Sequence, residues 1–138
     1  MAAFEYRQAL EVRDTFQRHG VRYLFLDKDP DNGRAAVTAL RALGFPLTDL
    51  QAAEIERGKD FVQIREGPFD LDLVFAPDGI ERFEVAWARR VEVEGFPVCH
   101  LDDIIASKTA ANRVKDRESL PRLRAFRDYW VARRQDDR

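Results

Sequence analysis

The hydrophobic positions change period several times along the chain. Tyr6, Ala9, Val12 and Phe16 recur at helical spacing and predict a helix over about residues 4–19, closed by His19-Gly20. Residues 21–26, Val-Arg-Tyr-Leu-Phe-Leu, are β-branched and aromatic and predict a strand. Asp27 to Gly33 reads as a turn that caps a second helix over about 33–43, with Ala36, Val37, Leu40 and Leu43 inward. Residues 47–60 are polar and fit either a short helix or a loop. Two short apolar runs, 61–65 and 69–75, flank Glu66-Gly67-Pro68 and predict an antiparallel hairpin. A helix over about 80–89 carries Phe83 and Trp87 at i and i+4, and a second hairpin follows over 91–94 and 96–99. Leu101, Ile104, Ile105 and Ala111 place a helix over about 101–111, with Asp102 and Asp103 favouring its N-terminal dipole. The last helix, about 118–134, has Pro121 near its start and an apolar stripe of Leu120, Leu123, Phe126 and Trp130.

The order is therefore α-β-α-β-β-α-β-β-α-α. It predicts an α/β (α+β) fold: a small mixed β-sheet flanked by helices. The length, 138 residues, fits a single domain over 1–138. Within it a sheet-containing core covers 1–112, and a basic C-terminal helix covers 113–138.

Charge sharpens this picture. The net charge of −2 alone points to no polyanion. It is uneven, with nine basic and five acidic residues from Arg113 onward, a balance of +4 that leaves −6 for the rest. One cysteine, Cys99, excludes an internal disulfide and fits a reducing, cytoplasmic setting. The apolar runs are too short to span a membrane, and no signal-peptide core opens the chain. His19 and His100, with Cys99, show no nucleophile–base spacing.

Candidate chemistry centres on Phe69-Asp70-Leu71-Asp72-Leu73. Carboxylates two apart on a strand share a face, an arrangement that can hold a divalent metal over a phosphate ester. The bland alternative is a half-buried strand with a wet face. Asp27 and Asp29 form a second D-x-D, but at the end of the predicted strand and next to Pro30 they read rather as a turn and helix cap. Lys108, Arg113 and Lys115 form a cationic cluster near a helix end, suited to phosphate. Asp116 and Glu118 offer internal partners that would make it a structural ion-pair network instead. Arg122, Arg124, Arg127, Arg133 and Arg134 give the last helix a basic character that RNA contact or plain solvation would both explain.

An ordered set of segments carries a family resemblance. His19-Gly20-Val21-Arg22-Tyr23-Leu24, Asp29-Pro30-Asp31-Asn32 and Gly67-Pro68-Phe69-Asp70-Leu71-Asp72-Leu73 are followed by Leu101-Asp102-Asp103-Ile104-Ile105-Ala106-Ser107-Lys108 and Asn112-Arg113-Val114-Lys115-Asp116-Arg117. Together they resemble the small prokaryotic nucleotidyltransferase-fold proteins, including minimal nucleotidyltransferases and toxin–antitoxin members. The resemblance implies a triphosphate-binding Gly-Gly or Gly-Ser turn, a D-x-D pair and a third Asp, which together hold two Mg²⁺ ions. Asp72 matches the third Asp, with Asp70 beside it. Lys108, Arg113, Lys115 and Asp116 match the basic motif. The chain departs from the pattern after residue 26: no Gly-Gly or Gly-Ser turn follows, and the metal-pair positions fall on Val21 and Tyr23. The implied reading is a shortened, catalytically degenerate member. It would act through nucleotide or phosphate binding, or as a protein-binding component such as half of a toxin–antitoxin pair. The alternatives are an active Mg²⁺-dependent nucleotidyltransferase, with Asp70 and Asp72 completed by Asp27 and Asp29, and an RNA-binding accessory.

Overall fold

The computed structural model describes residues 5–136, and side chains as far as Arg133. The fold is mixed α and β. Helices α1 (Tyr6–Arg18), α2 (Pro30–Ala42) and α3 (Asp49–Arg57) precede strands β1 (Phe61–Ile64) and β2 (Leu71–Val74). Then come α4 (Phe83–Ala88), β3 (Val91–Val93), β4 (Phe96–Val98), α5 (Leu101–Ala111) and α6 (Val114–Asp136). The chain packs as two compact units, one of residues 1–76 with 92–97, the other of 77–91 with 98–138.

The first unit is built around an apolar cluster. Phe16 of α1, Val37 and Leu40 of α2, Ile55 of α3, and Val62, Ile64 and Leu73 of the hairpin meet there with Phe45 and Phe69. Phe45 and Phe69 pack edge to face at 5.0 Å. α2 and α3 approach so closely that a Cβ on Gly33 would lie 2.8 Å from the Glu56 Cα, so only glycine fits there. β1 and β2 pair antiparallel, Phe61 opposite Val74 and Gln63 opposite Asp72, as the Glu66-Gly67-Pro68 turn predicts.

Two expectations need correction. The sheet is not one mixed sheet: β1–β2 and β3–β4 are separate two-stranded ladders. Residues 21–26 form no strand beyond an isolated bridge between Tyr23 and Leu26. The reason lies in Asn32, buried in the first turn of α2. Its carboxamide accepts from the Arg22 N–H at 2.7 Å and donates to the Arg22 and Asp27 carbonyls, both at 3.1 Å. Backbone groups that would have joined a ladder are satisfied by this one side chain, and the segment closes on itself. The Leu26 N–H reaches β2, donating to the Val74 carbonyl at 2.8 Å. Residues 47–60, left open by the pattern, hold α3. Thr48 and Gln51 form a reciprocal capping box at its start, and Gly58 ends it in the left-handed region (φ 75°).

The second unit is thinly cored. Its buried side chains, among the described residues, are Phe83, Ala86, Leu120 and one carboxylate, Asp116. α5 spans the predicted residues but buries none of them. α6 starts at Val114, a turn earlier than the pattern suggests, so Pro121 falls inside the helix. Phe126, expected inward, is 53 % exposed, while Leu123 and Trp130 are half-buried. Cys99 is also half-buried, and burial, helped by Asp103, pushes its thiol pKa up. No helix among the described residues is long and apolar enough to cross a membrane.

Candidate functional site

The four candidate metal carboxylates each have a local environment of their own. Asp72 stands on the exposed face of β2, and its Oδ1 lies 2.7 Å from Nη1 of Arg65, the residue that follows β1. The hairpin register creates this pair, because Gln63 sits opposite Asp72 and Arg65 projects from the same side two residues on. Asp70 is half-buried and precedes the strand rather than continuing it. Asp29 is the N-cap of α2: its side chain accepts from the backbone N–H groups of Asp31 (2.8 Å) and Asn32 (3.4 Å). Asp27 pairs with Arg22 at 3.3 Å, beside the Asn32 clasp.

Among the described residues no three Asp, Glu, His or Cys side chains come together in a way that could hold a metal ion. A two-metal site requires several hard oxygen ligands converging within one coordination shell. Asp27, Asp29, Asp70 and Asp72 do not supply that, so the residues present do not fit the Mg²⁺ pair of the family pattern. An open cleft of about 440 Å³ lies along β1, lined by Glu54, Lys59, Phe61, Val62 and Gln63. None of the predicted site residues lines it.

Two of the cationic candidates, Lys108 and Arg113, do converge, and on an anion of the chain itself. α5 ends at Asn112 in the left-handed region (φ 52°), and Arg113 leads directly into α6. Asp116, in the first turn of α6, has a fully buried side chain. It accepts from Arg113 Nε at 2.7 Å, from the Arg113 backbone N–H at 3.1 Å and from Lys108 Nζ at 3.4 Å. The backbone bond is half of a capping box, in which the carboxylate satisfies a free N–H at the helix start. The Arg113 guanidinium, with the Arg113 N–H and Lys108, outweighs burial and holds the Asp116 pKa down to about 2. The same bond raises the pKa of Arg113. Arg113 keeps 59 % of its side chain exposed. Lys115 is exposed too and makes no ion pair among the described residues. Lys108 and Arg113 thus fasten α5 to α6, and only the outer side of Arg113 and Lys115 face solvent.

Elsewhere on these helices, Arg127 pairs with Asp102 at 3.2 Å and with Asp128 at 3.4 Å. Arg122, Arg124 and Arg133 are exposed, and the side chain of Arg134 lies outside the described residues. His100 caps α5, its Nδ1 accepting from the Asp102 N–H at 3.0 Å, and its ring meets Trp130 at 5.6 Å. His19 is the C-cap of α1.

Comparison of the chain with protein-family models, with curated proteins and with solved structures finds no match. The residues alone carry the functional argument.

Two features of this site escape a reading of periodicity. Asn32 carries a signal after the fact: an Asn three residues after a capping Asp can reach back to the preceding loop. The exposed position of Phe126 is the other. Its neighbour Tyr129 continues the same helical row outside the inward stripe, and that spacing was available in the sequence.

Proposed function

We propose that this is a catalytically degenerate nucleotidyltransferase-like protein that works as a protein-binding component, of the kind found in one half of a toxin–antitoxin pair. The observation that carries the reading is the separate engagement of three of the four candidate carboxylates. Asp72 is neutralised by Arg65, Asp29 is spent on a helix cap, and Asp27 is paired with Arg22. Each of these contacts competes with a metal for the carboxylate, and among the described residues no group of three possible ligands gathers to complete a site. A cytoplasmic setting accords with the single half-buried thiol.

A second reading, binding of a nucleotide or other phosphate compound, draws support from Arg113 and Lys115. Both are exposed at the start of α6, where the helix dipole also favours an anion. The buried Asp116 carboxylate competes for Arg113 and weakens this reading.

Incubation with each labelled nucleoside triphosphate and Mg²⁺, for wild type and Asp72→Ala, tests the proposal. The degenerate reading expects no transfer product from either. A product formed by wild type and lost in Asp72→Ala overturns it in favour of an active transferase.

A further inference from the structure

Helix α6 carries a row that neither its own unit nor the phosphate reading uses. Arg122, Phe126, Tyr129 and Arg133 follow at i, i+4, i+7 and i+11, which places them along one face of the helix. Phe126 is 53 % and Tyr129 59 % exposed, among the largest apolar exposures in the molecule. Arg133 Nη1 reaches the Tyr129 hydroxyl at 3.4 Å, so the cation lies along the aromatic pair. Asp116 and Leu120, the residues of the helix buried among those described, lie well round the helix from this row, and Asp116 meets Lys108 of α5. From Arg122 to Arg133 the row spans about 16 Å and contains no acid.

We infer that this row is a docking face for an acidic amphipathic helix of a protein partner, a conclusion that rests on the protein-binding reading above. The row is an aromatic pair bracketed by arginines, the composition enriched at the centres of protein interfaces. The aromatic pair rises only about 4.5 Å along the axis, a single turn that one or two leucines of a partner helix would cover. The two arginines, eleven positions apart, call for carboxylates at the same separation on that helix. A single-stranded nucleic acid fits less well. Its phosphates would need cations along the whole row, and here the middle is apolar.

The test uses the full chain and a fluorescent synthetic peptide helix with glutamates eleven residues apart and leucines at the two positions between that match Phe126 and Tyr129. The acidic peptide is expected to bind, with affinity falling as salt rises. Phe126→Ala with Tyr129→Ala is expected to lower affinity about tenfold or more. Arg122→Glu with Arg133→Glu is expected to abolish binding of the acidic peptide and to create binding of its lysine counterpart. That exchange of preference guards against loss by misfolding, because a misfolded chain gains no new ligand. Equal binding of acidic and lysine peptides by wild type overturns the inference, as does wild-type affinity in the double-alanine variant. Tighter binding of a single-stranded oligouridine than of the acidic peptide also overturns it, in favour of RNA. The triphosphate assay on the same preparation keeps the two conclusions apart. Failure to bind the peptide with no nucleotide transfer removes the docking face alone. Transfer that depends on Asp72 removes the degenerate reading, whatever the peptide does.

Discussion

The two compact units of this molecule solve the folding problem in different ways. The first buries sixteen apolar side chains in one cluster drawn from three helices and a hairpin. The second buries Phe83, Ala86 and Leu120, and sets a carboxylate at the joint between its two main helices. In the first, burial of apolar surface stabilises the fold, at about 25 cal/mol per Å². In the second, Asp116 takes two cations and a backbone N–H at the joint of α5 and α6, beside the Arg127–Asp102 pair and the His100–Trp130 ring contact. The lesson is one of function as well as stability. A unit that keeps its apolar residues inside has little left to offer a partner. A unit whose long helix is fastened by a polar lock can leave Phe126 and Tyr129 outside.

The comparison breaks most severely in the first unit. Leu40 is fully buried, and Leu40→Ala removes its side chain from a core with no polar substitute. The expected cost is about 3 kcal/mol, read from the midpoint of urea unfolding. A loss under about 1 kcal/mol would mean the cluster is loosely packed.

Next comes the lock. Asp116→Ala leaves Lys108 and Arg113 without their shared anion and removes the cap on Arg113 N–H. Amide protection in α5 and α6 is expected to fall, while amides of α2, β1 and β2 keep theirs. Native-state hydrogen exchange separates the two. Equal loss in both units would show that they unfold as one. Acid gives a second view of the same group. Its pKa is depressed in the folded state, to about 2 from an ordinary 3.8. The stabilisation is therefore complete above about pH 4 and is lost as pH falls toward 2. Protection in α6 followed between pH 5 and pH 2 should decline only in that lower window. A decline already complete by pH 4 would show that Asp116 does not carry the joint.

Smaller effects sharpen the contrast. The Tyr23 hydroxyl is buried with no hydrogen-bond partner, and burial raises its pKa. Tyr23→Phe removes an unsatisfied group from the edge of the first core, and is expected to stabilise by about 1 kcal/mol in the same urea titration. Destabilisation would show that the hydroxyl has a partner. Smallest of all, Phe126→Ala with Tyr129→Ala should leave stability within about 0.5 kcal/mol per site, as surface changes do. A cost near that of Leu40→Ala would place these rings in a core.

Much of the fold was legible in the residues. α5 was readable to the residue, because His100 and Asn112 sit at its two ends and acids fill its first turn. The hairpin followed from Glu66-Gly67-Pro68 between two apolar runs. Residues 21–26 misled for a physical reason: a strand-like composition lost to a side chain ten residues away, Asn32, that took over their backbone bonds. α3 was readable from Thr48 and Gln51, a capping box hidden in a polar stretch. Phe126 was assigned inward because four apolar residues near helical spacing look like one stripe, yet Leu120 and Phe126 lie on different faces. Of the candidate site, the pairing of Lys108 and Arg113 with Asp116 was open from spacing alone. The dispersal of Asp27, Asp29, Asp70 and Asp72 was not, since it depends on where a clasped loop and a hairpin register set them.

The central claim is that these four carboxylates do not share a metal. Titration of the isotope-labelled protein with Mn²⁺, a paramagnetic stand-in for Mg²⁺ with the same preference for oxygen ligands, tests it directly through amide line broadening. The account predicts weak broadening scattered over the acidic surface, with no common saturable site. Joint, saturable broadening of residues 27–29 and 70–72 at one Mn²⁺ per chain would contradict it.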